Sequence, residues 1–267
     1  SAALTASFGI FGVLFSIVVA LSLRVSYTQT TISNLAATFA AGLLMIPIVV
    51  FYAKSLAIEE ASRVIPLWHF SPLFTLALAV IFLGEILKPV DYIAFALIFF
   101  GGLLITTRRT GVKLHVSPAA KFMLLSSFFV SVSEVLLKYA YSGQAFWQVF
   151  IVFYASSSIG MLSLFILPKT RKQFSSAFLR HKVGFLTMLF LSGLTGSLAA
   201  ILYNYAITFT PITLLSVFVS FQSLFVLLIA TFLSIKFPLF LKEAIDKKTI
   251  SIKLAAISLM ALGLFLL

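Results

Sequence analysis

Long apolar stretches separated by short polar punctuation make up almost the whole chain. Nine such runs can be marked, at roughly 6–23, 34–57, 61–83, 91–107, 119–140, 145–167, 184–207, 211–235 and 250–267. At about 1.5 Å rise per residue, runs of about 17–25 residues match single crossings of a bilayer's hydrocarbon. Their apolar character is continuous instead of alternating, so the pattern predicts helices and not barrel strands. Some linkers are very short. Thr208-Phe209-Thr210 precedes Pro211, a length that makes an antiparallel helical hairpin, with Pro211 suited to the first turn of the second helix.

The run from Glu59 to Glu85 carries the most chemistry. It opens with Glu59, Glu60 and Arg63, is broken by Pro66 and Ser71-Pro72, and closes on Gly84-Glu85. Each proline removes a backbone donor, which hydrocarbon tolerates only where neighbouring helices, hydroxyls or water satisfy the freed carbonyl. This span is therefore expected inside a bundle, beside a cavity. The opening carboxylates suit a helix N-terminus, whereas Glu85 at the far end is electrostatically misplaced and calls for a basic partner or a headgroup.

Composition removes the soluble alternative. Hydrophobic residues make up 61% of the chain, charged residues 10%, and mean hydropathy is +1.16, more apolar surface than a soluble fold can bury. There is no cysteine, so disulfides and thiolate metal sites are excluded. A net charge of +12 could suggest nucleic acid in a soluble protein. Here the basic residues lie between apolar runs, where membrane orientation explains them.

The last five runs form one unit, and the first four match its last four. Sliding the chain by 151 residues sets 34–83 against 185–234 with ten identities, among them Gly42/Gly193, Tyr52/Tyr203 and Phe70/Phe221. Composition alone would give roughly half as many, so hydropathy carries the argument more than identity. The expected fold is an all-α integral membrane bundle of nine visible transmembrane helices. A tenth is expected at the start, where the chain begins Ser-Ala-Ala without a signal-peptide pattern. Five spans per half make the repeats, 1–110 and 111–267, inverted in topology.

Sixteen of nineteen Lys and Arg then fall on one side, and only Arg24, Lys88 and Lys138 on the other. The bias puts the first side in the cytoplasm and the C-terminal end outside. The basic loop at 169–182 could also touch anionic lipid, though topology alone accounts for it.

Few residues in the runs could carry chemistry. His69, beside Trp68 and just before Ser71-Pro72, reads either as a titrating or substrate-binding group or as an imidazole bonded to a neighbouring helix. Glu134 and Lys138 lie four apart on one helical face, as a structural ion pair or as a coupling carboxylate with its neighbour. Tyr52, Tyr203, Asn204, Ser220 and Gln222 are polar groups either gluing helices together or bordering a shared cavity. Gly101-Gly102, Gly193-x-x-Gly196, Ser156-Ser157-Ser158 and the Ala36–Ala41 stretch are small faces for close helix packing.

The stretch SRVIPLWHFSPLFTLALAVIFLGE, followed by PVDYIAFALIFFGGLLI, resembles the fourth and fifth helices of EamA-type transporters in the drug/metabolite transporter superfamily. In that family a Ser-Pro within an apolar helix leads to Leu-Gly-Glu, and a Gly-containing helix follows. The resemblance covers 52–107 well and extends over most of the remainder. It implies that Glu85 belongs to a family signature with a structural or gating duty, and that Lys138 matches a cation common near the end of its helix. It also implies both chain ends in the cytosol, against the charge count.

The expected function is a secondary transporter moving small metabolites, amino acids or related compounds, outward by alternating access. Trp68, His69 and Ser71 would line a midplane cavity from one repeat and Glu134, Tyr203, Asn204 and Gln222 from the other. Pro66, Pro72, Glu85 and Lys138 would be structural or gating residues. The alternative is a lipid-linked carrier flippase, with a basic pocket at one interface, or a non-transporting scaffold. No Walker loop, Gly-x-Ser-x-Gly, His-Glu-x-x-His or Gly-x-Gly-x-x-Gly occurs, so an enzyme is not expected. The partners are a small solute and membrane lipid in the inner or plasma membrane, with no cofactor, metal or nucleic acid. A homodimer has no sequence feature to support it.

Overall fold

The apolar runs fold as helices in the computed structural model, which describes residues 2–27, 30–59, 67–106, 118–166, 168–180, 182–219, 221–222, 225 and 247–266. In chain order these are α1 (Ala2–Leu23), α2 (Ile32–Leu43), α3 (Met45–Ile58), α4 (Ser71–Leu78), α5 (Pro89–Thr106) and α6 (Pro118–Tyr141). There follow α7 (Phe146–Leu162), α8 (Pro168–Arg180), α9 (Lys182–Phe209), α10 (Ile212–Phe218) and α11 (Lys247–Leu266). A π-helical turn, Ala79–Leu83, prolongs α4, and a 3-10 turn, Ser163–Ile166, ends α7.

Four stretches among the described residues are long and apolar enough to cross a membrane: Ile32–Ile58, Pro118–Tyr141, Phe146–Ile166 and Leu189–Phe209. Shorter apolar helices at Gly9–Leu23, Ser71–Leu83, Pro89–Gly101 and Leu254–Leu266 coincide with four more of the expected runs. Most of the run at 211–235 lies outside the described residues, as do Pro66, Arg63 and Ser220.

Local chemistry sets the breaks. α2 begins where the Thr31 hydroxyl accepts from the Asn34 amide at 3.4 Å, a side-chain N-cap. It gives way to α3 at Leu44 because Pro47 has no N–H for the Leu43 carbonyl. The break expected at Ser71-Pro72 falls just before it, with Leu67 and Trp68 helical and His69 and Phe70 in a turn. Pro72 sits in the first turn of α4, where a missing donor costs nothing. Glu59 follows the last turn of α3, its amide bonded to the Ser55 carbonyl at 3.1 Å, and the helix it is expected to open would begin in 60–66, outside the described residues. The basic segment read as a loop is the helix α8, opened by Pro168.

The helices form two compact units, one of Ser1–Ala53 with Phe129–Thr210, the other of Lys54–Phe128 with Pro211–Leu267. Each draws on both sequence halves. In the first unit α1 and α2 both pack on α7. Without a hydrophobic force between helices in lipid, close approach supplies the attraction, and the serine run provides it. A Cβ on Gly12 would collide with the Ser158 hydroxyl, and one on Gly42 with that of Ser156. α6 joins α2 through Ser133, whose hydroxyl donates to the Ala41 carbonyl at 2.9 Å.

In the second unit α5 packs along α11, and α4 and α5 both meet α10. Gly101 faces Met260, and Gly263 faces Ile98, so each helix gives the other a groove. Phe95, Ile98, Phe99, Val217 and Met260 fill the centre, flanked by Phe70, Leu76 and Phe221. Helices from the apolar runs that the sequence matches between its two halves pack on one another: α1 on α7 and α5 on α11, with α4 and α10 in contact from different parts of their matched runs.

Enlarging the contact tests this account. Gly42→Leu should lower stability by about 1–3 kcal/mol, the usual cost of overpacking. Gly196→Leu, where an added Cβ meets no atom within 4 Å, should be near neutral. Thermal unfolding of the two variants in detergent, followed by size-exclusion chromatography, checks the difference.

Candidate functional site

Polar chemistry in the first unit is concentrated where α6 runs beside α9. Glu134, Lys138 and Tyr141 fall on one face of α6 at helical spacing of four and three. The Tyr203 hydroxyl donates to Glu134 Oε1 at 2.5 Å, and Lys138 Nζ donates to the Ile207 carbonyl at 2.7 Å. Both contacts span 69 residues, so the two helices run parallel in constant register. Lys138 Nζ also donates to the Thr210 carbonyl at 2.9 Å. A cation thus closes the C-terminal end of α9, where unpaired carbonyls and the helix dipole favour positive charge.

One turn away, the Tyr141 hydroxyl donates to Asn204 Oδ1 at 3.1 Å, and Asn204 Nδ2 donates to the Ala200 carbonyl at 2.9 Å. Asn204 is buried with a donor and an acceptor both engaged. Glu134 and Tyr203 are half-buried. Glu134 and Lys138, four apart on one face of α6, each also attach to α9. Tyr141 was not among the expected residues, although its position seven after Glu134 places it on the same face.

In the second unit Glu85 is the organising side chain. Gly84 stands at φ +64° after the π turn, a left-handed conformation that glycine adopts without strain. The chain reversal there delivers Glu85 to the start of α10. Glu85 Oε1 accepts from the Ile212 amide at 2.8 Å, while Oε2 accepts from the Thr213 amide at 3.3 Å and the Thr213 hydroxyl at 2.9 Å. The basic partner expected for this carboxylate is replaced by a helix N-terminus, whose orphan amides and dipole favour an anion. Thr213, missed in the sequence, is the residue that completes the cap.

Trp68 and His69 lie half-buried on the turn at Leu67–Phe70 that leads into α4. The turn is held by the Phe70 amide on the Leu67 carbonyl at 3.2 Å and by the Ser127 hydroxyl on the same carbonyl at 3.3 Å. Ser71 opens α4, Pro72 is buried, and Gln222 is exposed. Trp68, His69, Ser71 and Gln222 thus belong to the second unit, and Glu134, Tyr203 and Asn204 to the first. Tyr52 also lies in the first unit, half-buried. Among the described residues no three His, Asp or Glu side chains converge to hold a metal.

The first unit also contains a cavity of about 270 Å³ between α1, α7 and α9, lined by Phe11, Tyr154, Ser157, Ser158, Met161, Ser192, Gly193 and Gly196. The Ser157 and Ser158 hydroxyls are turned onto the Tyr154 carbonyl of their own helix at 3.0 and 2.6 Å, and the Tyr154 hydroxyl meets that of Ser197 on α9 at 2.8 Å. The candidate residues lie elsewhere.

Residues 2–107 match the EamA-like transporter family, which bears out the resemblance seen in the sequence. One crystal structure of another protein is similar over 99% of this chain and 86% of its own, with a TM-score of 0.71 at 16% identity. That likeness is one of fold. No curated protein matches the chain. The match covers the first two-fifths of the chain, and together with the four long apolar stretches it is what a multi-pass membrane protein would show.

The two helix-end contacts predict distinct variants. Glu85→Ala should destabilise α10 by about 0.5–2 kcal/mol, the usual worth of an N-cap. Hydrogen exchange should show this as lost protection at the Ile212 and Thr213 amides, with Glu85→Gln intermediate. Lys138→Met should cost about 1.5–3 kcal/mol, the scale of hydrogen bonds to charged groups, read as faster exchange at the amides of residues 208–210.

Proposed function

We propose, from the premise that residues 2–107 match the EamA-like transporter family, that this chain is a secondary transporter. It would export amino acids or related small metabolites by alternating access through a midplane cavity between two inverted repeats. The observation that carries the site is the Tyr203 hydroxyl on the Glu134 carboxylate at 2.5 Å, within helices long enough to cross the membrane. An ionisable group held within a span is costly and marks a solute or ion pathway more often than it serves packing. The packing of α1 on α7 and of α5 on α11 supports the repeat.

In this reading Glu134 binds a proton or the amine of the solute. Tyr203 fixes its rotamer by donating to one carboxylate oxygen, which leaves the other oxygen to take the proton or amine. Asn204 and Tyr141 hold the neighbouring turn of α9 in register. Trp68, His69, Ser71 and Gln222 contribute from the second unit, with His69 as a second proton-sensitive group. Pro72 and the Gly84-Glu85 reversal keep α4 and α10 in place while the cavity changes access. The inner or plasma membrane is the expected location.

Counterflow of a labelled amino-acid and metabolite panel into liposomes, at two pH values, tests this function. Saturable exchange of at least one solute is expected. Glu134→Gln should lower it at least about tenfold, the scale of a transport-site group worth about 1.4 kcal/mol, and flatten its pH dependence. Tyr203→Phe should weaken exchange while leaving the pH dependence in place. Exchange unchanged in both variants would remove the site but keep the carrier. No exchange by a monodisperse protein across the panel would overturn the function and favour a flippase or scaffold.

A further inference from the structure

The helix α8 has no role in the transport site, and its placement is constrained from both ends. A single residue, Leu167, separates it from the 3-10 turn that closes the apolar stretch Phe146–Ile166. A single residue, His181, separates it from α9, whose apolar span follows from Leu189. A helix tied this tightly between two spans cannot leave the membrane boundary. It also packs on α1, α9 and the 3-10 turn. Thr170 is buried on that side, the Phe174 ring meets Phe165 edge-on, and the Arg171 Nε donates to the Phe165 carbonyl at 2.5 Å.

The opposite side is polar and cationic. Lys172, Gln173, Ser175 and Ser176 are exposed. At helical spacing Lys169, Lys172, Ser176 and Arg180 share one stripe about 16 Å long. Nothing offsets its charge in sequence, since no Asp or Glu occurs between Glu134 and Glu243. A basic stripe opposite an apolar footing, held at the depth of the headgroups, has the chemistry of an anionic-lipid binder.

We propose that α8 is a docking surface for anionic phospholipid, seated flat at the bilayer boundary with its basic stripe, of which Lys172 is exposed, turned to the headgroups. The site binds lipid in place and is separate from the Glu134–Tyr203 pair. Positive charge left in cytoplasmic loops for orientation needs only to be near the span ends. Here it is additionally ordered on one face of a helix that cannot move away from the headgroups.

The chain contains no cysteine, so Ser176→Cys gives a single attachment point for a fluorophore on the exposed face. The full chain carrying it is placed in phosphatidylcholine vesicles doped with phosphatidylglycerol or phosphatidylcholine bearing a nitroxide headgroup. Quenching by the anionic lipid should exceed that by the zwitterionic one. The preference should fall roughly fivefold for each charge removed in Lys172→Gln and then Lys169→Gln/Lys172→Gln/Arg180→Gln. Lys172→Arg should retain it, and a label at Ser142→Cys, beyond the end of α6, should show none. Equal quenching by both lipids at Ser176 would overturn the proposal. So would a preference that survives the triple substitution, or one abolished by inorganic phosphate, which would mark a site for the free anion. A loss in Lys172→Arg equal to that in Lys172→Gln would overturn it too, by reducing the lysine to a packing role.

Discussion

A helix that ends within or beside hydrocarbon leaves its last carbonyls and first amides with no water to bond, and every such end must be satisfied from within the protein. This requirement explains more of the structure than any apolar contact. The end of α9 in the first unit and the start of α10 in the second are each met by a charge of the favourable sign. Lys138 takes the carbonyls of Ile207 and Thr210, and Glu85 takes the amides of Ile212 and Thr213. The same logic recurs with neutral groups. Asn34 donates to the Ala140 carbonyl at the end of α6, and Gln148 to the Ser26 carbonyl after α1.

Because charge is so scarce in this chain, each charged residue inside a span has an assignable duty. Glu85 and Lys138 are opposed to helix dipoles of the favourable sign, so their retention is a matter of architecture. Glu134 differs. It meets a tyrosine hydroxyl instead of a backbone end, and a neutral acceptor could hold Tyr203 equally well. A carboxylate within a span that holds a side chain instead of a helix end is a candidate transport group, where Glu85 and Lys138 are capping ones.

The helical class, the membrane setting and the small-residue packing faces were legible in the sequence because they rest on local composition and spacing. Ser156–Ser158 meets Gly12 and Gly42 as a small face should. The partners of charged residues on other helices were not legible. Glu134 and Lys138 satisfy the spacing of an ion pair, and each also reaches across to α9, a choice fixed only by the parallel register of two helices 69 residues apart. Glu85 carried the signal that a carboxylate ending a helix needs a positive partner. That the partner would be the backbone of α10 depended on the reversal at Gly84. The basic stretch in α8 was read as a loop because its charges outweighed the period of Thr170 and Phe174, the positions that give it an inner face.

The interleaving of the two units has a consequence for biosynthesis. The first unit needs Phe129–Thr210 to join Ser1–Ala53, so it can close once the ribosome has delivered the chain through α9. The second holds Lys54–Phe128 incomplete until Pro211–Leu267 has been made. During that interval α5 lies in the bilayer without α11, its partner of closest packing, and Glu85 has no amides to bind. A chain cut at the boundary between the sequence halves would leave both units unfinished. Division of this protein into two separately made pieces is therefore natural after Thr210 only for the first unit, and the last helices act as the closing step for Lys54–Phe128.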